Sequence, residues 1–137
     1  MRKAILAMLL AGVCGSAIAE WVAIAGNNDV FIIYADPSSI LKTNTGVKIW
    51  HLTDYKTAQF DSLVGKAYLS GKTQTEYDCQ GKQTRRLYSV FYSGNEGDGQ
   101  AVSSGTASPE TQWIPVIPGS VGEAMFKYAC GKILMAR

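Results

Sequence analysis

Lys66–Cys79 reads KAYLSGKTQTEYDC and, beyond the turn Gln80-Gly81-Lys82, Thr84–Ser93 reads TRRLYSVFYS. In the first segment Thr73, Thr75 and Tyr77 alternate with polar neighbours. In the second, Leu87, Ser89 and Phe91 alternate with Arg86, Tyr88, Val90 and Tyr92. Side chains two apart on a strand share a face, so two alternating runs joined by a glycine-containing turn predict an antiparallel hairpin. That hairpin sets the fold class as mainly β.

Working outward, Trp21–Ala25, the turn Gly26-Asn27-Asn28 and Val30–Ala35 read as a second hairpin. Pro37 cannot donate to a ladder, so Asp36-Pro37-Ser38-Ser39 ends its return strand, with Asp36 placed to cap a short helical turn. Val47–Tyr55 reads as a further strand carrying Val47, Ile49 and His51 on one face and Trp50 and Leu52 on the other. Two partly apolar faces suggest a central strand covered on both sides for part of its length. Lys56–Gly65 reads as less regular. Gly94–Gly99, with three glycines, reads as a flexible hairpin tip before a last short strand near Ala101–Thr106.

The period then changes from two to 3.6. Val121, Met125, Tyr128 and Ala129 line one face of a helix. Ser120 is placed as its N-cap, Glu123 completes a capping-box pattern, and Gly131 is placed to end the helix after about ten residues. So short a helix needs its apolar stripe packed on a sheet. The expected fold is α+β, mainly β: an antiparallel sheet of about six strands with a C-terminal helix packed on it.

At the other end, Arg2 and Lys3 precede an apolar run from Ala4 to Val13, and Ala17-Ile18-Ala19 offers small residues before Glu20. This is the pattern of a secretory signal peptide, residues 1–19, ahead of a single domain over residues 20–137. A run of about ten apolar residues falls well short of the roughly 20 that span a bilayer, so the mature chain is expected to have no transmembrane segment. Val13 stands where a lipidation signal wants a small residue before Cys14. Cleavage removes Cys14 and leaves Cys79 and Cys130, which an oxidising compartment favours joining. Their bridge would tether the helix to the sheet. Arg2 and Lys3 also account for the excess of 13 basic over 11 acidic side chains, so the mature chain carries no net side-chain charge. Without a positive field, nucleic acid is not an expected partner.

Catalytic signatures are sparse. His51 is the only histidine, which excludes sites needing two imidazoles, and no His/Cys set has metal spacing. No metal or cofactor is expected. Asp54 is three residues from His51 and would point to the opposite face of a strand. There is no G-x-S-x-G elbow. Glu76 and Asp78 share a strand face, a common arrangement on solvated strands. Gly94–Gly99 is too short for a calcium loop. Aromatic and arginine side chains concentrate on the strand after the Gln80-Gly81-Lys82 turn. If uncovered, Arg86, Tyr88 and Tyr92 form the candidate binding residues; if covered by the helix, they are core.

Several local motifs occur in a characteristic order. They are Trp21, Tyr34-Ala35-Asp36 with Ser39-Ile40, Val47-Lys48-Ile49-Trp50 with Asp54-Tyr55, Tyr77-Asp78-Cys79, Arg85-Arg86, Trp113 leading to Ile117-Pro118-Gly119-Ser120, and Cys130. In this order they resemble the surface-adhesin protein E family of small exported bacterial proteins. The resemblance implies an antiparallel sheet with a disulfide-bonded C-terminal helix, in agreement with the reading above. It also implies an exported, non-enzymatic, adhesin-like binding protein of the periplasm or outer surface, whose partner is a host or envelope macromolecule such as a protein. The alternatives are a soluble periplasmic small-ligand-binding or envelope-stress protein and, last, a hydrolase. Ligand identity and oligomeric state are not readable from the sequence.

If the signal reading is right, the exported protein begins at Glu20. Intact mass of material recovered from the cell envelope is the check; a species beginning at an acylated Cys14 would contradict it.

Overall fold

The expected hairpin forms the centre of the sheet. In the computed structural model, which describes residues 20–106 and 112–135, β5 (Lys66–Asp78) pairs antiparallel with β6 (Gln83–Tyr92) from Ser70 opposite Tyr92 to Asp78 opposite Gln83. On its other side β5 pairs with β4 (Gly46–Asp61). The first hairpin, β1 (Val22–Asn27) and β2 (Phe31–Ala35), joins β4 through β2, and β7 (Ala101–Thr106) closes the far edge. The order is thus β1-β2-β4-β5-β6-β7, all antiparallel, with two-residue strands β3 (Leu41–Lys42) on β4 and β8 (Ile114–Pro115) on β6. The six expected strands form the main path. The signal segment and Cys14 lie outside the described residues.

Two irregularities depart from the sequence reading. Strand β4 does not end near Tyr55 but continues to Asp61, with a register shift between Asp54 and Gln59 before pairing resumes at Gln59 opposite Tyr68. The bulge breaks the alternation, so the segment looks irregular although both ends are paired. In β6, Gln74 faces Tyr88 while Thr75 faces Arg86, leaving Leu87 without a partner. This second bulge reverses the expected alternation: Arg86 does not share a face with Tyr88 and Tyr92.

The helix α1 (Val121–Met135) is longer than expected. Gly131 lies inside it, with no left-handed φ. An interior glycine costs about 1 kcal/mol relative to alanine, too little to stop a helix held by packing. Its start is where the period changes. Ser120 Oγ accepts the Glu123 N–H at 3.1 Å, and Glu123 Oε1 accepts the Gly119 N–H at 3.3 Å, one residue before the position of the usual capping box. Gly119, at φ +77, makes that turn. Met125 and Ala129 bury themselves on Ala35, Val47, Ile49 and Tyr77, and Phe126 meets the Tyr77 ring edge-on at 6.1 Å. Cys79, just beyond β5, is disulfide-bonded to Cys130 in the helix with Cα atoms 5.7 Å apart.

The bridge closes a long loop between residues 51 apart in sequence. Its reduction is expected to lower stability by about 2–4 kcal/mol. Urea unfolding with and without reductant measures the difference, and a Cys79→Ser/Cys130→Ser protein should match the reduced form.

Candidate functional site

Because α1 occupies the Val47–Ile49 side of the sheet, the other side is free of the helix. The pairing register collects on it Trp50, Gln74 and Tyr88 in one row, then Leu52, Lys72 and Val90, with Tyr92 beyond. Trp50 and Tyr88 meet edge-on with ring centroids 6.0 Å apart. Lys72 Nζ lies 5.8 Å from the Trp21 ring and 5.4 Å from that of Tyr92. At the other end Arg85 stacks on Trp113 at 4.4 Å and binds Glu76 through Nη2 at 2.6 Å and Nε at 2.8 Å. Glu76 is 7% exposed, and two guanidinium N–H groups converging on its Oε1 supply the pairing a buried carboxylate needs. All three tryptophans of the chain therefore stand on one face with Tyr88, Tyr92, Lys72 and Arg85.

One border of this face is a folded-back loop. Ser70, fully buried, donates to the Gly94 carbonyl at 2.6 Å and accepts the Gly97 N–H at 2.9 Å. Asp54 Oδ1 accepts from Asn95 Nδ2 and from the Glu96 N–H, both at 2.9 Å. The Gly94–Gly99 segment is thus pinned to β4 and β5, not the flexible tip its composition suggested. Its partners lie more than twenty residues away, beyond the reach of local pattern. The Lys72 chain also presses on this loop: a Cβ at Gly97, whose φ is +77, would stand 2.7 Å from Lys72 Cε.

Of the sequence-predicted site residues, Tyr88 and Tyr92 lie on this face and Arg86 does not. Trp21, Lys72, Arg85 and Trp113 were missed as site residues. Only cross-strand register brings them together, although Trp21, Arg85 and Trp113 had been singled out as family motifs. The Glu76/Asp78 pair is split: Glu76 binds Arg85, whereas Asp78 Oδ1 accepts the Gln80 and Gly81 N–H groups at 3.1 and 2.9 Å. That is turn chemistry.

On the helix side, His51 sits in β4 beside Thr73 of β5 and Ala35 of β2. Its Nδ1 is buried and has no hydrogen-bond partner among the described residues. Burial lowers its pKa from 6.5 to about 4, since an imidazolium there would lose its hydration. At neutral pH the ring is uncharged. Asp54 points to the other face, as strand alternation requires, so no carboxylate orients the ring as a base. Among the described residues no group of three His, Cys, Asp or Glu side chains is arranged to hold a metal ion, and no helix is long and apolar enough to cross a membrane.

The family model described as Surface-adhesin protein E matches residues 21–131. The chain belongs to the Surface-adhesin protein E family. No curated protein matches it. Among solved structures, crystal form II of Haemophilus influenzae protein E is similar at 14% identity and a TM-score of 0.62, over 82% of this chain and 87% of that one. Protein E from non-typeable Haemophilus influenzae is similar at 13% identity and a TM-score of 0.61, over 85% of this chain and 78% of that one. At such identities the likeness is one of fold. This member of the adhesin E family thus shares the fold of the protein E structures, and by family it is an adhesin-like protein.

The titration of His51 has a measurable sign. Between pH 6.5 and about 4 the unfolded chain takes up a proton that the folded chain refuses, so stability falls as pH is lowered through this window. The loss approaches the order of 3 kcal/mol by pH 4. Urea unfolding at pH 7 and pH 4.5 should show it, and His51→Gln should remove this part of the pH dependence.

Proposed function

We propose that the chain is an exported, non-enzymatic binding module that holds a macromolecular partner, a protein, on the open sheet face of Trp21, Trp50, Tyr88, Tyr92, Lys72 and Arg85. The observation that carries this reading is the collection of all three tryptophans with Tyr88, Tyr92, Lys72 and Arg85 on the face left uncovered by the helix. Aromatic and arginine side chains supply most of the energy at protein interfaces, because large rings bury area at low entropic cost. Here they come from a rigid ladder, so little ordering cost is added on binding. The folded-back Gly94–Gly99 loop forms a rim at one end. Family membership supports an adhesin-like role, and display at the outer surface is the location that such a role requires.

Truncating one of these anchors should weaken partner binding by about 2 kcal/mol, roughly 30-fold, while leaving the fold intact. Labelled mature protein bound to epithelial cell layers provides the assay. Trp50→Ala, Tyr88→Ala and Tyr92→Ala should each lower binding, whereas Lys127→Ala, on the exposed side of the helix, should not. Protease treatment of intact and lysed cells of the source bacterium tests display: cleavage only after lysis would place the protein inside the envelope and defeat the adhesin reading. Turnover on ester, peptide, glycoside or phosphate substrates should be absent.

A further inference from the structure

The helix side of the sheet carries a second site, made of residues that the aromatic face does not use. Three adjoining cavities, of about 510, 270 and 460 Å³, run from the β4–β5 hairpin tip to the first turn of α1. Arg86 lines all three, and His51 lines the middle one and the one beside the helix. Sharing Arg86, they adjoin as one open groove, and its two larger lobes are each at the scale of small-molecule sites, roughly 300–1,000 Å³.

The lining differs along its length: at the hairpin-tip end Asp61, whose Oδ2 accepts from Ser103 Oγ at 3.2 Å, supplies a carboxylate, and the charge farther in is that of Arg86. The middle is hydroxyl-rich: Thr53, Thr73 and Thr75 surround His51, with Ser89 in the neighbouring cavity and its Oγ 3.0 Å from Thr73 Oγ1. The His51 ring borders these hydroxyls, while its Nδ1, buried from solvent, has no partner among the described residues. Tyr55 and Phe91 border the same space and belong to a row of rings, Phe31, Tyr55, Tyr68 and Phe91, with successive centroids 6.2, 5.8 and 4.6 Å apart. Their negatively polarised faces suit the weakly positive C–H groups of a sugar ring. Arg86 is exposed and has no ion-pair partner among the described residues. Its planar guanidinium matches a carboxylate in two-point geometry.

From this juxtaposition we infer that the groove is a binding site for an acidic saccharide unit. Arg86 takes the carboxylate, the Thr53, Thr73, Thr75 and His51 group takes the ring hydroxyls, and Tyr55 with Phe91 supports the apolar edge. A fatty carboxylate fits less well, because the hydroxyl cluster would be desolvated without partners. The inference is independent of the aromatic face, since the two sites lie on opposite sides of the sheet.

The sole histidine makes the test direct, because the imidazole ring-proton signals of untagged mature protein all come from His51, which lines the groove. Sodium glucuronate and sodium N-acetylneuraminate are titrated separately at pH 7, with glucose as the neutral comparison. A saturable shift of the His51 resonance is expected with at least one acid, and binding about tenfold or more weaker is expected for glucose and for Arg86→Gln. Lys127→Ala, on the exposed side of the helix and outside the groove's lining, should bind like the parent. Arg86 is on the surface, so Arg86→Gln should keep the parent His51 position without ligand. Thr73→Ala provides a second variant with reduced affinity. No saturable shift with either acid, an equal response to glucose, or full affinity in Arg86→Gln would each overturn the inference.

Discussion

Everything in this protein depends on where one helix docks. Met125 and Ala129 enter the side of the sheet that presents Val47, Ile49 and Tyr77, and the Cys79–Cys130 bridge holds them there. A twisted sheet has two faces, and a chain of this size has apolar surface to cover only part of them. Committing α1 to one end of one face leaves two surfaces uncovered by it: the aromatic face on the reverse side and the groove beyond the helix N-terminus. Covalent tethering matters because the sheet contacts come chiefly from one stripe of the helix, which would be marginal without them.

The electrostatic arrangement follows from the same division. Two cations on the aromatic face are held by a ring or a partner: Lys72 between Trp21 and Tyr92, Arg85 between Trp113 and Glu76. Such sandwiched cations lose little freedom on meeting a partner, which favours recognition by a preformed surface. In the groove, by contrast, a neutral imidazole and hydroxyl groups surround a guanidinium that has no ion-pair partner among the described residues, with the Asp61 carboxylate at the hairpin-tip end. The two faces therefore ask for different chemistry.

Much of the fold could be read from local pattern, because alternation and helical period report directly on faces. The hairpins at Gly26-Asn27-Asn28 and Gln80-Gly81-Lys82, the strand at Ala101–Thr106, the Ser120 start of the helix and the paired cysteines all belong to this class. What could not be read depends on register. The extension of β4 to Asp61 is hidden by its bulge, and the docking of the glycine-rich loop depends on Asp54 and Ser70, which are distant in sequence. The candidate site suffered most: Tyr88 and Tyr92 were legible as a pair two turns of alternation apart, but Arg86 was assigned to their face because nothing in the letters marks Leu87 as unpaired. Gly131 misled for the opposite reason, since a glycine that can end a helix need not do so when packing continues past it.

The unpaired Leu87 gives β6 one residue of slack, and that slack distributes two adjacent arginines between two tasks. In a ladder without it, Arg86 would face Glu76 and Arg85 would be driven toward Tyr77 in the core. With it, Arg85 reaches the carboxylate and Arg86 reaches the groove. Losing Leu87 itself would leave every observed pair in step, whereas losing a residue between Gln83 and Arg86 would move the remaining chain out of phase with β5. Strand length on the turn side of the bulge is therefore the more tightly constrained quantity, and length variation in β6 has one place to be absorbed.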